Sequence, residues 1–336
     1  MQRSLVGSEM CIRDRYVPGM VEMMKEKGFA HMSEGALVVD VKEDTDTKEI
    51  PPCIILKSDG ASLYSTTDLA TLVMRMKENN PDRVIYLADA RQSMHFIQVF
   101  RCARKTGIVP DTTELVHIGF GTMNGKDGKP FKTRDGGVMR LEYLLKEIDD
   151  EMLNKIKENQ KEKENLNIDE AEAEQTAKTV ALAAVKYGDL SNQASKDYIF
   201  DIDRFTSFEG NTGPYILYTI VRIKSILSKY EAKGGDISAL KDAIMPAVNA
   251  GQKNLMLSLA KFNATIESAY EESAPHKICA YIYELANAFN GFYHDTKILS
   301  EENEELKKSY ISLLVLTKEI LEACIDMLGF SAPDRM

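Results

Sequence analysis

Three segments before residue 140 carry side chains whose types and spacing could do chemistry. The first is KSDGASLYSTTDLA at 57–70, which leaves a strand-like run and enters a helix-like pattern near Thr67 and Asp68. At the carboxyl edge of a parallel sheet, where such folds bind ligands, Asp68 beside Tyr64 could receive a guanidinium through two parallel hydrogen bonds. Taken alone, the segment is more simply explained as a turn followed by a helix N-cap.

The second segment, DARQSMHFIQ at 89–98, follows another strand-like run. Four polar side chains crowd this strand-to-helix junction: Arg91, Gln92, His95 and Gln98. His95 and Gln98 are three residues apart and therefore share a helix face. A lone histidine is more often structural than catalytic, so the segment indicates little by itself.

The third segment is NGKDGKPFKTRDGG at 124–137, a glycine-rich stretch with one proline. Its cations are Lys126, Lys129, Lys132 and Arg134. Such a loop could close over a triphosphate and offset the negative charge that develops during phosphoryl or nucleotidyl transfer. A charged surface hairpin is the alternative. The chain contains no GxxxxGK[ST] sequence, which excludes a P-loop ATPase.

Alternating strand and helix patterns surround these segments. The predicted strands are 36–41, 53–57, 83–89 and 115–121, and the predicted helices are 67–80 and 93–107. Thr67 or Asp68 is expected to cap the first helix, and Gly107 to end the second. Apolar strands without alternation, separated by helices, predict an α/β domain with a parallel sheet covered on both faces.

The pattern changes after residue 145. Residues 146–174 are dense in charge, and we expect a solvated helix or a connector. The rest is predicted to be helical, with one helix begun by Pro214 and a last helix capped by Ser300 and ended by Gly329. The predicted fold class is therefore α/β followed by an all-α bundle.

Composition limits the function classes. The 336 residues are 44% hydrophobic and carry a net charge of −10, as in an ordinary soluble protein with room for two domains. No apolar run is long enough to span a membrane. Five scattered cysteines indicate reduced thiols of a cytoplasmic protein rather than zinc or disulfides. The negative charge argues against coating nucleic acid by bulk electrostatics but leaves a local basic patch open.

Taken in order, the motifs resemble those of the class I arginyl-tRNA synthetases. They are KSDG…LYSTTDLA, HIGFGTMNGKDGKPFKTRDGG, DLSNQASKDYIFDIDRFTSFEGNTGPYILYTIVRI and the terminal MLGFSAPDRM. The resemblance runs from about Val17 to Met336. It implies a partial Rossmann-like nucleotide-binding domain and an α-helical anticodon-binding domain. The implied activity is adenylation of arginine with ATP and its transfer to the 3′ end of tRNA(Arg).

The resemblance also assigns roles to residues. Tyr64 and Asp68 would hold the arginine guanidinium, with Gln92 beside them. FKTR stands where the family has its KMSKS-type loop but departs from that spelling. Lys129, Lys132 and Arg134 would there stabilise the pyrophosphate leaving group.

Two further sets follow from the resemblance. Gly119, Phe120 and Gly121 would lie near the ATP adenine. Asn211, Tyr215 and Tyr218 would lie near the tRNA, although cap and core roles are the alternative for them. The expected partners are arginine, ATP with Mg²⁺, and tRNA(Arg), without a membrane and without a metal bound by the protein. The full-length protein is expected to be a monomer.

One family signature, HIGH, is not found in the sequence. The chain offers HIGF at 117–120, but it lies after the Asp68 segment and directly before the cationic loop, whereas HIGH belongs upstream of both. We therefore expect a fragment that lacks HIGH and forms arginyl-adenylate poorly by itself. A catalytically inactive tRNA-binding module is the alternative.

The first residues raise a separate question. Codons that spell LVGSEMCIRDR, residues 5–15, look like the DNA of a sequencing-library adapter. The predicted divisions are a foreign segment at 1–15, part of the catalytic domain at 16–145, a charged helical connector at 146–175, and the anticodon-binding domain at 176–336.

Overall fold

The computed structural model describes residues 15–129, 141–162, 169–240 and 243–336. The chain divides into two compact units between Gly121 and Thr122. Residues 1–14 of the predicted foreign segment lie outside the described ranges, as do Lys132 and Arg134 of the predicted loop. Within the described ranges, no helix is long and apolar enough to cross a membrane.

The first unit begins with helix α1 over residues 15–26 and a three-stranded sheet. The strands of this sheet are β1 (His31–Ser33), β2 (Ala36–Val39) and β3 (Cys53–Leu56). All neighbours in it are antiparallel. The strands predicted at 36–41 and 53–57 are confirmed, but their parallel pairing is wrong. Glu34 and Gly35, both with positive φ, make the two-residue turn that forces β1 and β2 into a hairpin.

The parallel pairing that the sequence predicts occurs between the next two strands. β4 (Arg83–Asp89) and β5 (Glu114–Phe120) pair in parallel over seven residues, ending with Asp89 opposite Phe120. Helix α2 (Tyr64–Glu78) precedes β4, and α3 (Ser93–Lys105) is the crossover between the two strands. The core of the unit contains Leu69, Leu72 and Val99 from these helices.

The two ends predicted for these helices had different outcomes. Gly107 adopts a φ of 71° just after α3, so the predicted stop is confirmed. Helix α2, however, begins at Tyr64, which places Thr67 and Asp68 inside its first turns. The hydroxyl of Thr66 accepts the Leu63 N–H at 2.9 Å and donates to the Ile55 carbonyl at 2.6 Å. Thr66 therefore satisfies the helix start, and the carboxylate of Asp68 is not used as a cap.

The second unit is almost entirely helical. A short parallel pair, β6 (Met123–Asn124) and β7 (Tyr198–Ile199), lies at its beginning. Its helices are α4 (Leu141–Glu162), α5 (Glu170–Leu190), α6 (Ile202–Phe205), α7 (Gly213–Ala232), α8 (Ala250–Leu259), α9 (Phe262–Glu271), α10 (Pro275–Asp295) and α11 (Glu304–Met327). The predicted α/β to all-α order is confirmed.

The charged stretch after residue 145 is more than a solvated connector. Along α4, apolar side chains four residues apart are buried against the rest of the unit: Leu144, Ile148, Met152 and Ile156. The helical prediction is confirmed for the described residues of this stretch. Its apolar stripe, which the density of charge obscures in the sequence, packs mainly on α5, so α4 is part of the bundle core.

Helix ends in this unit also test the sequence predictions. Thr212 caps α7 by accepting the Tyr215 N–H, and Pro214 lies in its first turn as predicted. Gly329 ends α11 with a φ of 80°, also as predicted. The predicted Ser300 cap of α11 is wrong, because Asn303 accepts the first free N–H groups, those of Glu305 and Leu306.

Helices α5 and α7 approach so closely that one position admits only glycine. A Cβ atom at Gly213 would overlap the backbone carbonyl of Ala183. Backbone atoms cannot move aside as a flexible side chain can, so the helices themselves would have to separate.

We expect Gly213→Ala to lower the free energy of unfolding of the helical unit by about 1–3 kcal/mol through overpacking. Urea denaturation followed by circular dichroism measures this loss. Gly291→Ala on α10 is the matched control, because a Cβ there meets nothing within 4 Å. It should leave stability unchanged or raise it by up to about 1 kcal/mol through helix propensity. Equal effects of the two substitutions would contradict the close-packing explanation.

Candidate functional site

In the first unit, Asp68 and His95 form a side-chain pair that the sequence does not reveal. Nε2 of His95 lies 2.7 Å from Oδ2 of Asp68. Asp68 is in the second turn of α2, His95 is in the first turn of α3, and both side chains are about one quarter exposed. The other carboxylate oxygen of Asp68 accepts no hydrogen bond from the described residues, so the carboxylate can still bind a cation.

The two residues predicted to assist Asp68 lie near the starts of the same helices. Tyr64 is the first residue of α2, and its side chain is 85% exposed. Gln92 ends the 3-10 turn Ala90–Gln92 that leads into α3, and it too is exposed. The fold therefore puts Tyr64 and Asp68 on one helix and Gln92 beside the helix that carries His95.

Asp89 stabilises the turn that leads into α3. Its Oδ1 accepts the backbone N–H of Arg91 at 2.8 Å, and the Arg91 guanidinium donates to both of its oxygens. These bonds, chiefly those from the guanidinium, lower the pKa of Asp89 to about 2. Arg91 is consequently a structural cation of this turn in the described structure.

An aromatic cluster lies beside His95 on one face of β4 and β5. The Phe96 ring stacks on His117 at a centroid distance of 4.5 Å, and it lies 5.0 Å from the Tyr86 ring and 5.1 Å from the His95 ring. Burial raises the pKa of Tyr86 to about 12. His117, the histidine of HIGF, is thus a stacked residue inside a strand.

The predicted adenine-binding residues end β5 and follow it. A Cβ atom at Gly119 would lie 2.9 Å from the Cα of Ala90, so this glycine lets the end of β5 approach the 3-10 turn. Phe120 is 44% exposed. A role of Gly119, Phe120 and Gly121 in binding ATP stays a prediction.

In the second unit, the described part of the predicted cationic loop is a tight turn with an anchored base. The Gly125 N–H donates to the Lys129 carbonyl at 2.8 Å, and Gly128 has a φ of 71°. Lys126 pairs with Asp201 at 3.0 Å and with Asp203 at 2.7 Å. The hydrogen bond from Lys126 lowers the pKa of Asp203. Lys126 therefore anchors the turn to the segment after β7. The backbone N–H of Lys129 donates to Asp127 Oδ1 at 3.1 Å, and its exposed side chain forms no ion pair with the described residues.

The residues predicted to face tRNA belong to two neighbouring polar networks. Asn211 Oδ1 accepts a hydrogen bond at 2.5 Å from the hydroxyl of Tyr187, a buried residue of α5. Tyr215 on α7 donates to Asn287 Oδ1 at 2.6 Å and accepts from Asn290 Nδ2 at 2.9 Å. Both predicted residues are therefore held in fixed positions by hydrogen bonds to the bundle.

Tyr218 belongs to a cluster of which the sequence predicts only part. Arg222 lies 4.7 Å above the Tyr218 ring and 5.4 Å from the Tyr293 ring, and it donates to Asn290 Oδ1 at 2.7 Å. We call the surface formed by Tyr215, Tyr218, Arg222, Asn290 and Tyr293 the α7–α10 face. The spacing of three and four residues along α7 could have indicated Arg222, but its partners on α10 are visible only in the fold.

Comparison with known proteins gives two family matches. Residues 4–202 match the model of tRNA synthetases class I (R), catalytic domain, and residues 216–336 match the DALR anticodon binding domain. The first match begins inside the segment predicted to be foreign, and the foreign origin of residues 1–15 stays a prediction.

Individual relatives agree with these matches. The chain is 53% identical over 322 residues to the arginine–tRNA ligase of Alkaliphilus oremlandii, covering 96% of this chain and 53% of that protein. It is 42% identical over 325 residues to that of Francisella tularensis subsp. tularensis, with the same coverage. The chain thus spans about half the length of the curated relatives it matches.

Two solved structures are similar in fold. The arginyl-tRNA synthetase of Plasmodium falciparum superposes with a TM-score of 0.79 at 26% identity, covering 96% of this chain and 53% of that one. The arginyl-tRNA synthetase of Thermus thermophilus gives a TM-score of 0.80 at 22% identity, covering 97% and 59%. The latter likeness concerns the fold alone.

The anchoring role of Lys126 can be tested by local hydrogen exchange. We expect Lys126→Met to speed exchange of the Gly125 and Gly128 amides by about threefold to tenfold, because it removes two exposed ion pairs, each of which contributes up to about 1 kcal/mol. Lys196→Met, which removes an exposed lysine from the nearby segment before β7, is the control. Unchanged protection of the turn in the Lys126 variant would show that the ion pairs do not hold it.

Proposed function

Because the chain belongs to the class I arginyl-tRNA synthetases, a family of ligases, we propose that it takes part in the ATP-dependent ligation of arginine to tRNA(Arg). The observation that carries this proposal is the carboxylate of Asp68. It lies inside α2, where it does not cap the helix, and one of its oxygens is fixed by a side chain of α3. A fixed carboxylate suits a planar guanidinium, which can donate two parallel hydrogen bonds, better than it suits the point charge of lysine.

Arginine would be held at its guanidinium end in this proposal. Asp68 and Tyr64 would contact the guanidinium, and Gln92, with an amide that can both donate and accept, would bind polar atoms nearby. Tyr64 is exposed, so its ring and hydroxyl are available to a ligand without loss of an internal contact. Selection for arginine over an uncharged analogue would then come chiefly from the Asp68 charge.

The chemistry would proceed in two steps. The arginine carboxylate attacks the α-phosphorus of ATP, forming arginyl-adenylate and releasing pyrophosphate. A terminal ribose hydroxyl of the tRNA then attacks the carbonyl carbon of the adenylate, and AMP leaves. ATP is a substrate here, and Mg²⁺ would enter on its phosphate oxygens, for which that ion has a strong preference.

Stabilisation of pyrophosphate would fall to the cationic loop. Lys129 supports this role by its exposure next to a turn that Lys126 anchors. Lys132 and Arg134 would add positive charge, and Gly119, Phe120 and Gly121 would lie near the adenine. Positive side chains placed where negative charge develops lower the barrier of nucleotidyl transfer.

The α7–α10 face would contact tRNA. Aromatic rings offer stacking surfaces to unpaired bases, and an arginine held over a ring adds positive charge and hydrogen-bond donors. Tyr215, Tyr218 and Arg222 supply these groups on one helix, and Asn211 lies just before that helix.

A second candidate, from another functional class, is a tRNA-binding module without catalysis. It is favoured by the absence of an HIGH sequence from the 336 residues. Binding of free arginine separates the two, because such a module has no need of an intact arginine site.

We expect the 336-residue chain to bind arginine and Asp68→Asn to bind it at least about 30-fold more weakly, since removing one partner of a charged pair costs about 2–5 kcal/mol. Isothermal titration calorimetry with arginine, lysine and citrulline measures both the affinity and the discrimination. The matched control is Asp59→Asn. Among the described residues, this exposed aspartate accepts a side-chain hydrogen bond only from the Ala61 N–H, which an asparagine can keep. If Asp68→Asn bound arginine as tightly as the unsubstituted chain, the assignment of Asp68 to the guanidinium would be overturned. If the unsubstituted chain did not bind arginine, the non-catalytic module would be favoured.

The tRNA surface has its own test. Arg222→Gln should weaken binding of tRNA(Arg) by roughly 5-fold to 30-fold, because it removes a cation–π pair and a charge worth about 1–2 kcal/mol together. Filter binding at several salt concentrations measures it, with Arg204→Gln, an exposed arginine on α6, as control. Equal affinities for the two variants would remove the α7–α10 face from the proposed interface.

A further inference from the structure

We propose that His95 is a positioning residue for arginine recognition, acting through Asp68 rather than touching the substrate. The inference rests on the proposed function, because it assigns a role at the same carboxylate. The geometry that carries it is the 2.7 Å contact between His95 Nε2 and Asp68 Oδ2 across two helices. A carboxylate oxygen can only accept a hydrogen bond when ionised, so Nε2 carries the proton and donates it.

The imidazole is itself held in place by packing. The edge of the His95 ring meets the Phe96 ring at an interplanar angle of 77°, with the centroids 5.1 Å apart. Phe96 is buried, stacks on His117, and contacts Tyr86. The donor that reaches Asp68 is thus supported by an aromatic cluster that rests on β4 and β5.

A held donor matters because an aspartate carboxylate otherwise rotates. The terminal torsion of aspartate has a broad energy profile, so a free carboxylate samples many planes. Two parallel hydrogen bonds to a guanidinium require one plane. By binding Oδ2, His95 restricts that rotation before arginine arrives, and the remaining lone pairs of Oδ1 and Oδ2 stay available to the substrate.

The donor is most useful when it is neutral. A lysine or arginine at position 95 would also orient Asp68, but it would neutralise the charge that attracts the guanidinium. The neighbouring arginines already have other contacts: Arg75 lies over the Tyr86 ring at 5.2 Å, and Arg91 is paired with Asp89. An imidazole N–H that brought no positive charge would therefore fix the carboxylate and leave its negative charge for the substrate.

Three variants of the 336-residue chain test this role. His95→Phe keeps a ring but removes the donor, and we expect arginine binding to weaken by about tenfold or more in calorimetry, as for loss of a hydrogen bond to a charged group. His95→Gln keeps a neutral donor and should bind arginine within about threefold of the unsubstituted chain. His95→Lys keeps a donor but brings a charge, and it should bind more weakly than the Gln variant. His31→Phe, an exposed histidine near Asp40 in the same unit, is the control and should change nothing.

The ratio of arginine to citrulline affinity separates positioning from a purely structural role. Loss of stability alone would weaken both ligands equally, whereas a misplaced Asp68 weakens arginine more. Thermal melting of each variant shows whether it folds. Two results would overturn the inference while leaving the arginine site intact. His95→Phe could bind arginine as tightly as the unsubstituted chain, or its ratio of arginine to citrulline affinity could equal that of the unsubstituted chain.

A second measurement needs no ligand. In ¹⁵N-labelled chain, the His95 imidazole should show the Nε2–H tautomer, and Asp68→Asn should shift its Nε2 resonance. An Nδ1–H tautomer of His95 would also overturn the inference, as would an Nε2 resonance that is the same in Asp68→Asn and in the unsubstituted chain. Failure of the unsubstituted chain to bind arginine, together with the expected His95 resonances, would instead locate the failure in the proposed function.

Discussion

The parallel pairing of β4 and β5 is the constraint on which the first unit depends. Because both strands run in the same direction, their carboxyl ends reach the same edge, and Asp89 pairs with Phe120 there. The crossover helix α3 must start at that edge, so its first turn, with His95, lies beside the sheet end. Helix α2 packs against α3, and this contact brings Asp68 within hydrogen-bond distance of His95. The contact between these two side chains, 27 residues apart, is thus a consequence of strand direction.

Close backbone approach has a comparable role in both units. Gly119 lets β5 pass next to Ala90, and Gly213 lets α7 begin against the backbone of α5. In each case a missing side chain sets the distance between elements that carry candidate functional groups. The side chains of the α7–α10 face are then fixed by hydrogen bonds between the two helices, from Tyr215 to Asn287 and from Arg222 to Asn290.

The order of elements could be predicted from the sequence because apolar runs and glycine stops are local signals. Pairing direction could not be predicted for 36–41 and 53–57, because it depends on the turn at Glu34 and Gly35 rather than on the strands. The predicted helix caps were wrong where several candidate residues stand together. There the hydrogen bonds of Thr66 and Asn303, rather than residue type alone, decide where the helix begins. Of the candidate site, the residues of α2 could be recognised from a motif.

The remaining parts of the site depend on partners distant in the chain. Neither His95 nor Lys126 has a local signal that distinguishes its role, because their partners are 27 and 75 or more residues away. A lone histidine and a lysine in a basic loop have many possible roles in sequence. In the fold, His95 contacts the carboxylate of Asp68, and Lys126 pairs with the carboxylates of Asp201 and Asp203.

This distribution of charge explains how an acidic chain could bind an acidic partner. With a net charge of −10, the chain as a whole repels phosphate, so attraction must come from cations placed locally and kept available. Lys126 is neutralised by Asp201 and Asp203, whereas Arg222 is held by neutral groups, an asparagine amide and two tyrosine rings. A neutral support fixes the guanidinium without cancelling its charge. The same principle would operate at Asp68 with the opposite sign, since the imidazole of His95 holds one carboxylate oxygen, and the other accepts no hydrogen bond from the described residues.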